Sequence, residues 1–241
     1  ADTPSKANSS NQSVVEVKYQ ILTVPVKVLK DTGHNWLGND PCPSGVCAVV
    51  GVFLKDQVDI LWKALKEQPG VLIDEVGDIT VKSGESGKIQ KGYNFSYPVD
   101  YDASAKPTKM ETRFLGTTLE VQPFVSDFTI DLTGHFKTTQ LKEITQVYTV
   151  KESDLMKKPS LAELVSAFPK NTVFNPAFNV RAVDSTMTLY TGQSIFYSMD
   201  EYENADLLKK VPSPQMKLKD PSKRRFLIIT ATVIDPQTAK N

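Results

Sequence analysis

Three observations predict a mainly β, α+β fold in which mixed β-sheets form a sandwich-like core with two short helices. The first is Phe226–Ile234, a run with no charge, glycine or proline, rich in β-branched residues whose stiff side chains suit a pleated strand. Phe226, Ile228 and Ile234 fall on one face; Leu227, Ile229, Ala231 and Val233 fall on the other. A strand apolar or neutral on both faces belongs in mid-sheet with cover on each side. A transmembrane β-strand is the competing reading, but such strands alternate toward a wet lumen. The second observation is the alternation of Val14–Val24, and the third is a succession of further extended segments interrupted by only two helical stripes.

The totals narrow the function classes. Lys plus Arg number 28 and Asp plus Glu number 28, so no net charge draws the chain to nucleic acid or anionic lipid. Apolar content of 40% is that of an ordinary globule, and no run of 18 apolar residues offers a transmembrane helix. Residues 1–13 are too polar to pack and are expected to be a disordered tail, and residues 237–241 a carboxy-terminal tail. The first residue is Ala, not Met. A mature chain after signal cleavage and a trimmed expression product both begin this way. Export is the expectation, because of the cysteines.

Cys42 and Cys47 flank Pro-Ser-Gly-Val, a turn that can bring the thiols together. A disulfide here would close a small loop worth roughly 2 kcal/mol and would require an oxidising compartment. A zinc half-site or two free thiols are the competing readings. The only histidines are His34 and His135, and there is no second cysteine pair, so no metal, cofactor or catalytic constellation is expected.

In order along the chain, Val15, Val17, Tyr19 and Ile21 share one face of the first strand, with Glu16, Lys18 and Gln20 opposite. Pro25 ends it, and Thr32–Asp40 reads as a loop anchored by Trp36 and Leu37. Ala48–Leu54 is a second strand. Asp56 is placed to cap a helix over Asp56–Gln68, whose Val58, Leu61, Trp62 and Leu65 form one stripe. Val71–Val76 and Asp78–Lys82 are extended. Ser83–Gly87 invites comparison with a phosphate loop, but its glycines are too closely spaced and no Ser or Thr follows Lys88, so a hairpin turn is expected.

Lys88–Tyr97 is a strand on which Tyr93, Phe95 and Tyr97 align by period two. They read either as core or as a protein-contact face, since aromatics concentrate at interfaces. Asp100–Lys109 is a polar loop. Gly116–Gln122 and Phe128–Leu132 form a hairpin around Pro123–Asp127, with Leu119, Val121, Phe128, Ile130 and Leu132 facing in. His135 falls at a strand end as a surface histidine. Lys137–Lys158 is charged, with a strand at Glu143–Val150. Ser160 and Glu163 make a capping box for a second helix with the stripe Leu161, Leu164, Val165 and Phe168. Ala177–Tyr190 is extended, Thr191-Gly192 is a turn, and Gln193–Met199 is a strand. No linker interrupts Val14–Pro236, so one domain is expected over 14–236.

Several of these segments, in this order, resemble the core domain of the bacterial secretins, the outer-membrane ring components of type II and type III secretion and of type IV pili. Thr80–Gly92 is similar to the family's Ser-Gly-x-x-Ala-x-Ile-x-Val-Gly segment. Gly116-Thr-Thr-Leu-Glu-Val-Gln-Pro123 resembles its Gly-x-x-Leu-x-Val-x-Pro motif. Arg181–Phe196, with Thr191-Gly192-Gln193-Ser194, resembles its Arg-x-Val-x-Thr…Asp-Gly-Gln-Thr motif, and Arg225–Pro236 its closing strand. Ser198 and Met199 stand where the family carries two glycines. The resemblance implies a non-enzymatic envelope component of a type IV pilus or type II secretion apparatus, placed in the periplasm or outer membrane. It implies protein partners from that machinery, homo-oligomerisation, no nucleic acid, and membrane association only through assembly. The reading set against it is an exported β-sandwich binding module or adhesin, presenting Asp31–Cys47 and Asp100–Lys109 to a host glycan or protein.

Overall fold

Phe226 and Leu227 point to opposite sides of one strand, and both are buried. In the computed structural model, which describes residues 13–34, 49–102, 106–148, 172–199 and 220–234, that strand runs from Lys223 to Ile234. In chain order the elements are β1 (Val14–Pro25), α1 (Val26–Asp31), β2 (Val49–Phe53), α2 (Lys55–Leu65), β3 (Leu72–Lys82) and β4 (Gly87–Tyr101). These are followed by β5 (Pro107–Ser126), β6 (Thr129–Tyr148), β7 (Thr172–Tyr190), β8 (Ser194–Ser198) and β9 (Lys223–Ile234). The fold is mainly β, in two antiparallel sheets of order β2-β8-β9-β1-β3 and β4-β5-β6-β7. Contacts separate the chain into two compact units, residues 1–89, 119–136 and 182–241 in the first and residues 90–118 and 137–181 in the second.

In the first unit, β9 is the middle strand of five. It pairs antiparallel with β1 along its whole length, from Val14 opposite Ile234 to Pro25 opposite Lys223. One face, Leu227, Ile229 and Ala231, packs with Val15, Val17, Tyr19 and Ile21 of β1 against Leu119, Val121, Ile130, Leu132, Phe136 and Leu189. The other face, Phe226 and Ile228, packs with Leu22 and Val24 under both helices, against Leu29, Val58, Leu61 and Leu65. The helices cover only part of this face. Where they stop, β9 carries Thr230 and Thr232, and β1 carries Glu16 and Lys18. Polarity along these strands therefore follows the boundary of the cover.

Helix α2 begins at Lys55, not Asp56. Its entry is closed by Gln57, whose Oε1 accepts the Leu54 backbone N–H at 2.9 Å, while Asp56 sits in the first turn beside the positive helix end. Helix α1 follows Pro25 where no helix was expected; its six residues are too short for a periodic stripe, and it is held through Val28 and Leu29. The expected helix at Ser160–Phe168, the anchors Trp36 and Leu37, residues 1–12 of the amino-terminal tail and the carboxy-terminal tail lie outside the described residues.

The two extended segments expected at 71–82 form one strand, β3, which continues through Gly77. Gly77 lies opposite Tyr19 in the register, and a Cβ there would come within 2.3 Å of the Tyr19 ring. The polar loop expected at Asp100–Lys109 is shorter than its composition suggested, since β4 runs to Tyr101 and β5 starts at Pro107. Strand β5 likewise runs through Pro123, and the hairpin turns only at Asp127 and Phe128, with Asp127 at φ 46°. The shift of the turn throws Phe128 out of the core, to 84% exposure.

Candidate functional site

The predicted contact residues sit in the second unit. Tyr93, Phe95 and Tyr97 do alternate along β4, but they meet different surroundings: Tyr93 is 63% exposed, Phe95 is half-buried and Tyr97 is 9% exposed. Phe95 and Tyr97 stack with ring centroids 5.9 Å apart and planes 17° from parallel. The ring of Phe178, on β7, lies 5.1 Å from Tyr97 and 6.3 Å from Phe95 in tilted and edge-on arrangements, the geometries that the aromatic quadrupole favours. Above Phe178, the Arg113 guanidinium carbon stands 4.4 Å from the ring centroid, a cation–π contact from β5. Strands β4 and β7 are the two outer strands of their sheet, with β5 and β6 between them. Contact between Phe178 and Tyr97 therefore means that this part of the sheet curls until its ends meet. Phe178 was not singled out from the sequence, because nothing local marks one phenylalanine in an extended run as the partner of a strand about 80 residues away.

On the same strand β4, a pair of glycines brings its backbone close to that of β5. Gly92 has φ 153° and Gly116 has φ 133°. A Cβ on Gly92 would lie 2.0 Å from the Leu115 carbonyl oxygen, and one on Gly116 would lie 2.1 Å from the Lys91 carbonyl oxygen. Only glycine permits this backbone approach. The last residue of one motif and the first of the next thus meet across two strands.

The remaining motif, Thr191–Ser194, is the corner where the chain passes from the four-stranded to the five-stranded sheet. Gly192 takes φ 81° and donates its N–H to the Ala231 carbonyl at 2.8 Å; Thr191 Oγ1 accepts the Val233 N–H at 2.9 Å. The Ser83–Gly87 segment is a second corner between the sheets, not a hairpin, since β3 and β4 do not pair. Its first three amides are already engaged: Ser83 N–H donates to Ser13, Gly84 N–H to Pro123 and Glu85 N–H to Lys82. Those bonds occupy the groups a phosphate would need.

On the first unit, the outer face of the four-stranded sheet carries polar cross-strand pairs. Asp131 accepts from Thr188 at 2.5 Å, Thr133 bonds Thr186 at 3.2 Å, and His135 Nδ1 contacts Asp184. His135 lies within β6 rather than at a strand end, and its carboxylate partner is 49 residues away, which no spacing rule could have found. Lys88 pairs with Glu120 at 2.8 Å, and the hydrogen bond from Lys88 holds the Glu120 carboxyl below its usual range. Ser86, Gln122, Glu120, Thr133, His135 and Asp184 line a shallow depression of about 470 Å³. The Ser185 hydroxyl bonds Tyr197 at 2.6 Å. Among the described residues, no group of three or more His, Cys, Asp or Glu is placed to hold a metal ion, and no helix is long and apolar enough to cross a membrane. Cys42 and Cys47 lie outside the described residues.

No protein-family model matches the chain, and no curated protein does. Among solved structures, the chain is similar to the Vibrio cholerae type IV competence pilus secretin PilQ, at 11% identity over 92% of this chain and 61% of that one, with a TM-score of 0.44. It is similar to the type II secretion system secretin GspD of Escherichia coli K12, at 11% identity over 95% of this chain and 52% of that one, with a TM-score of 0.42. It is also similar to the Salmonella SPI-1 type III secretion injectisome secretin InvG, at 11% identity and a TM-score of 0.39, over 95% of this chain and 68% of that one. The chain therefore spans under two thirds of the length of the first two.

Proposed function

We propose that this chain is a non-enzymatic structural component of a cell-envelope apparatus, a type IV pilus or type II secretion machine, working as a secretin-type core over residues 14–236. On this reading it is exported to the periplasm or outer membrane, Cys42 and Cys47 form a disulfide there, and Tyr93, exposed beside the Phe95–Tyr97 stack, belongs to a contact surface.

The observation that carries the reading is the four-stranded sheet. Each copy contributes four long antiparallel strands, and its outer strands β4 and β7, of 15 and 19 residues, each have one neighbour in the sheet. With an even number of antiparallel strands, β4 of one copy and β7 of the next run in opposite directions. Head-to-tail pairing of copies would continue the same ladder and, on closure, remove every edge. Strands of about 9–11 residues suffice to cross a bilayer when they close into a barrel, so these are long enough. The order of the motif residues in the sequence supports the same reading, since Gly92, Gly116 and Thr191–Ser194 form the close approach and the corner that shape this sheet.

The test is the mass of the purified chain by light scattering over a concentration series, with and without phospholipid vesicles. A species of many copies is expected. A chain that stays monomeric under every condition overturns the reading.

A further inference from the structure

We propose that Phe178, seated on Phe95 and Tyr97 under Arg113, is a clasp that holds the two outer strands of the four-stranded sheet together within one copy and so delays their pairing with a second copy. This inference rests on the assembly reading above and names what regulates it.

The argument begins with the strand order. Phe178 is on β7, and its ring partners are on β4, at the opposite end of the sheet. No ladder connects these strands, so the side chains themselves are what ties the ends. Two ring pairs run from Phe178 to β4 and one cation–π contact runs to it from β5, all within one unit, while the Phe95–Tyr97 stack on β4 forms the seat. Around it this unit is sparsely packed: Tyr93, Val99, Met110, Ile144 and Val180 are all exposed. Tyr97 is buried, at 9% exposure, as are Leu115, Thr117, Thr138 and Thr139 of the same unit. Among the described residues, the ring contacts that join β4 to β7 are those of Phe178 with Phe95 and Tyr97, and these pin the curl.

A clasp of this kind is reversible. Each aromatic or cation–π contact shifts an equilibrium by a few-fold, so the set favours the curled form on the order of 10- to 100-fold. A second copy must overcome that factor before its β7 can reach the first copy's β4. The ladder it would form offers a backbone hydrogen bond at roughly every other residue, which exceeds what the clasp provides once enough copies are present. The occupant of the opened edges is a second copy of this chain, because the two edges are antiparallel and of comparable length. The clasp therefore sets a concentration threshold rather than a permanent block.

The experiment compares the full chain with Phe178→Ala, Phe178→Tyr and Arg113→Gln. Two readouts are taken: amide hydrogen exchange of β4 and β7 at low concentration, and mass by light scattering over a concentration series. The expected result is faster exchange at both strands in Phe178→Ala and an assembly threshold lowered by about 10-fold or more. Arg113→Gln should move both readouts the same way by a smaller factor, and Phe178→Tyr should match the parent. Exchange in β1 and β9, in the other unit, serves as the folding control. Unchanged exchange of β4 and β7 in both Phe178→Ala and Arg113→Gln overturns the clasp, whatever the mass. Faster exchange with an unchanged threshold overturns its role in assembly. Faster exchange with no assembly in any variant, parent included, overturns the assembly reading itself.

Discussion

Gly92 and Gly116 stand opposite one another with each Cα in the space the other's side chain would need: a Cβ on Gly92 would lie 2.8 Å from the Gly116 Cα, and one on Gly116 would lie 2.7 Å from the Gly92 Cα. Either Gly→Ala change adds an unfavourable positive φ, about 1–3 kcal/mol, to a clash with backbone that cannot swing aside. Each single substitution should lower the urea midpoint by an amount equivalent to at least ~2 kcal/mol. The double substitution should cost less than the sum, because one forced separation of β4 from β5 relieves both clashes. Equal and additive small losses would show that the strands separate readily.

Tyr19 lies over Gly77 and gives its hydroxyl to the Glu75 carboxylate. Gly77→Ala should destabilise the first unit strongly, since the methyl would displace a buried ring. Tyr19→Phe should cost about 1–2 kcal/mol for the lost charge-assisted bond. Denaturant titration of both variants checks the order.

The same phenol predicts an alkaline weakness. Burial first, and then Glu75, raise the Tyr19 pKa well above its ordinary value, and burial raises that of Tyr197 despite the opposing bond from Ser185. An acid whose folded pKa is raised binds more protons folded than unfolded once the pH passes its unfolded pKa. Stability is then fully present below pH ~10 and falls as the pH rises above it. Unfolding midpoints at pH 8, 9.5 and 10.5 should show a decline confined to the upper interval, and Tyr19→Phe should flatten it. A decline of equal slope in that variant would assign the effect elsewhere.

Strand β9 should be equally sensitive on both faces. Leu227→Ala and Phe226→Ala each remove a buried side chain from a different cluster, and each should cost about 2–5 kcal/mol. Phe128→Ser, at the hairpin tip, should stay within about 0.5 kcal/mol of the parent, because that ring is in water. A large loss at Phe128 alongside a small one at Phe226 would reverse the assignment of inside and outside.

These residues also show what could be read ahead of the structure. Phe226–Ile234 and Val14–Val24 were legible because each face of each strand repeats along the chain, and α2 because Val58, Leu61 and Leu65 recur at helical spacing. Pro123 carries a turn signal that places Phe128 in the core, yet Pro123 stays in β5, where its carbonyl accepts the Gly84 N–H. The segments 71–76 and 78–82 read as separate in the sequence because the ring that requires a glycine at position 77 is 58 residues earlier. The parts of the candidate site that depend on pairing across the sheet were out of reach: Phe178 with Tyr97, Gly92 with Gly116, and His135 with Asp184. Each depends on register, which a single strand does not encode.

The pairing of β1 with β9 has a consequence for when this molecule can mature. Val15 and Val17 are among the earliest residues of the core, yet the neighbours they hydrogen-bond beside, Val233 and Ala231, come more than 200 positions later. Until Lys223–Ile234 has left the ribosome, β1 and β8 have a gap between them and neither hydrophobic cluster can seal. The 12-residue strand β9 is therefore the bolt of this sheet, which stays open between β1 and β8 until that strand has been made.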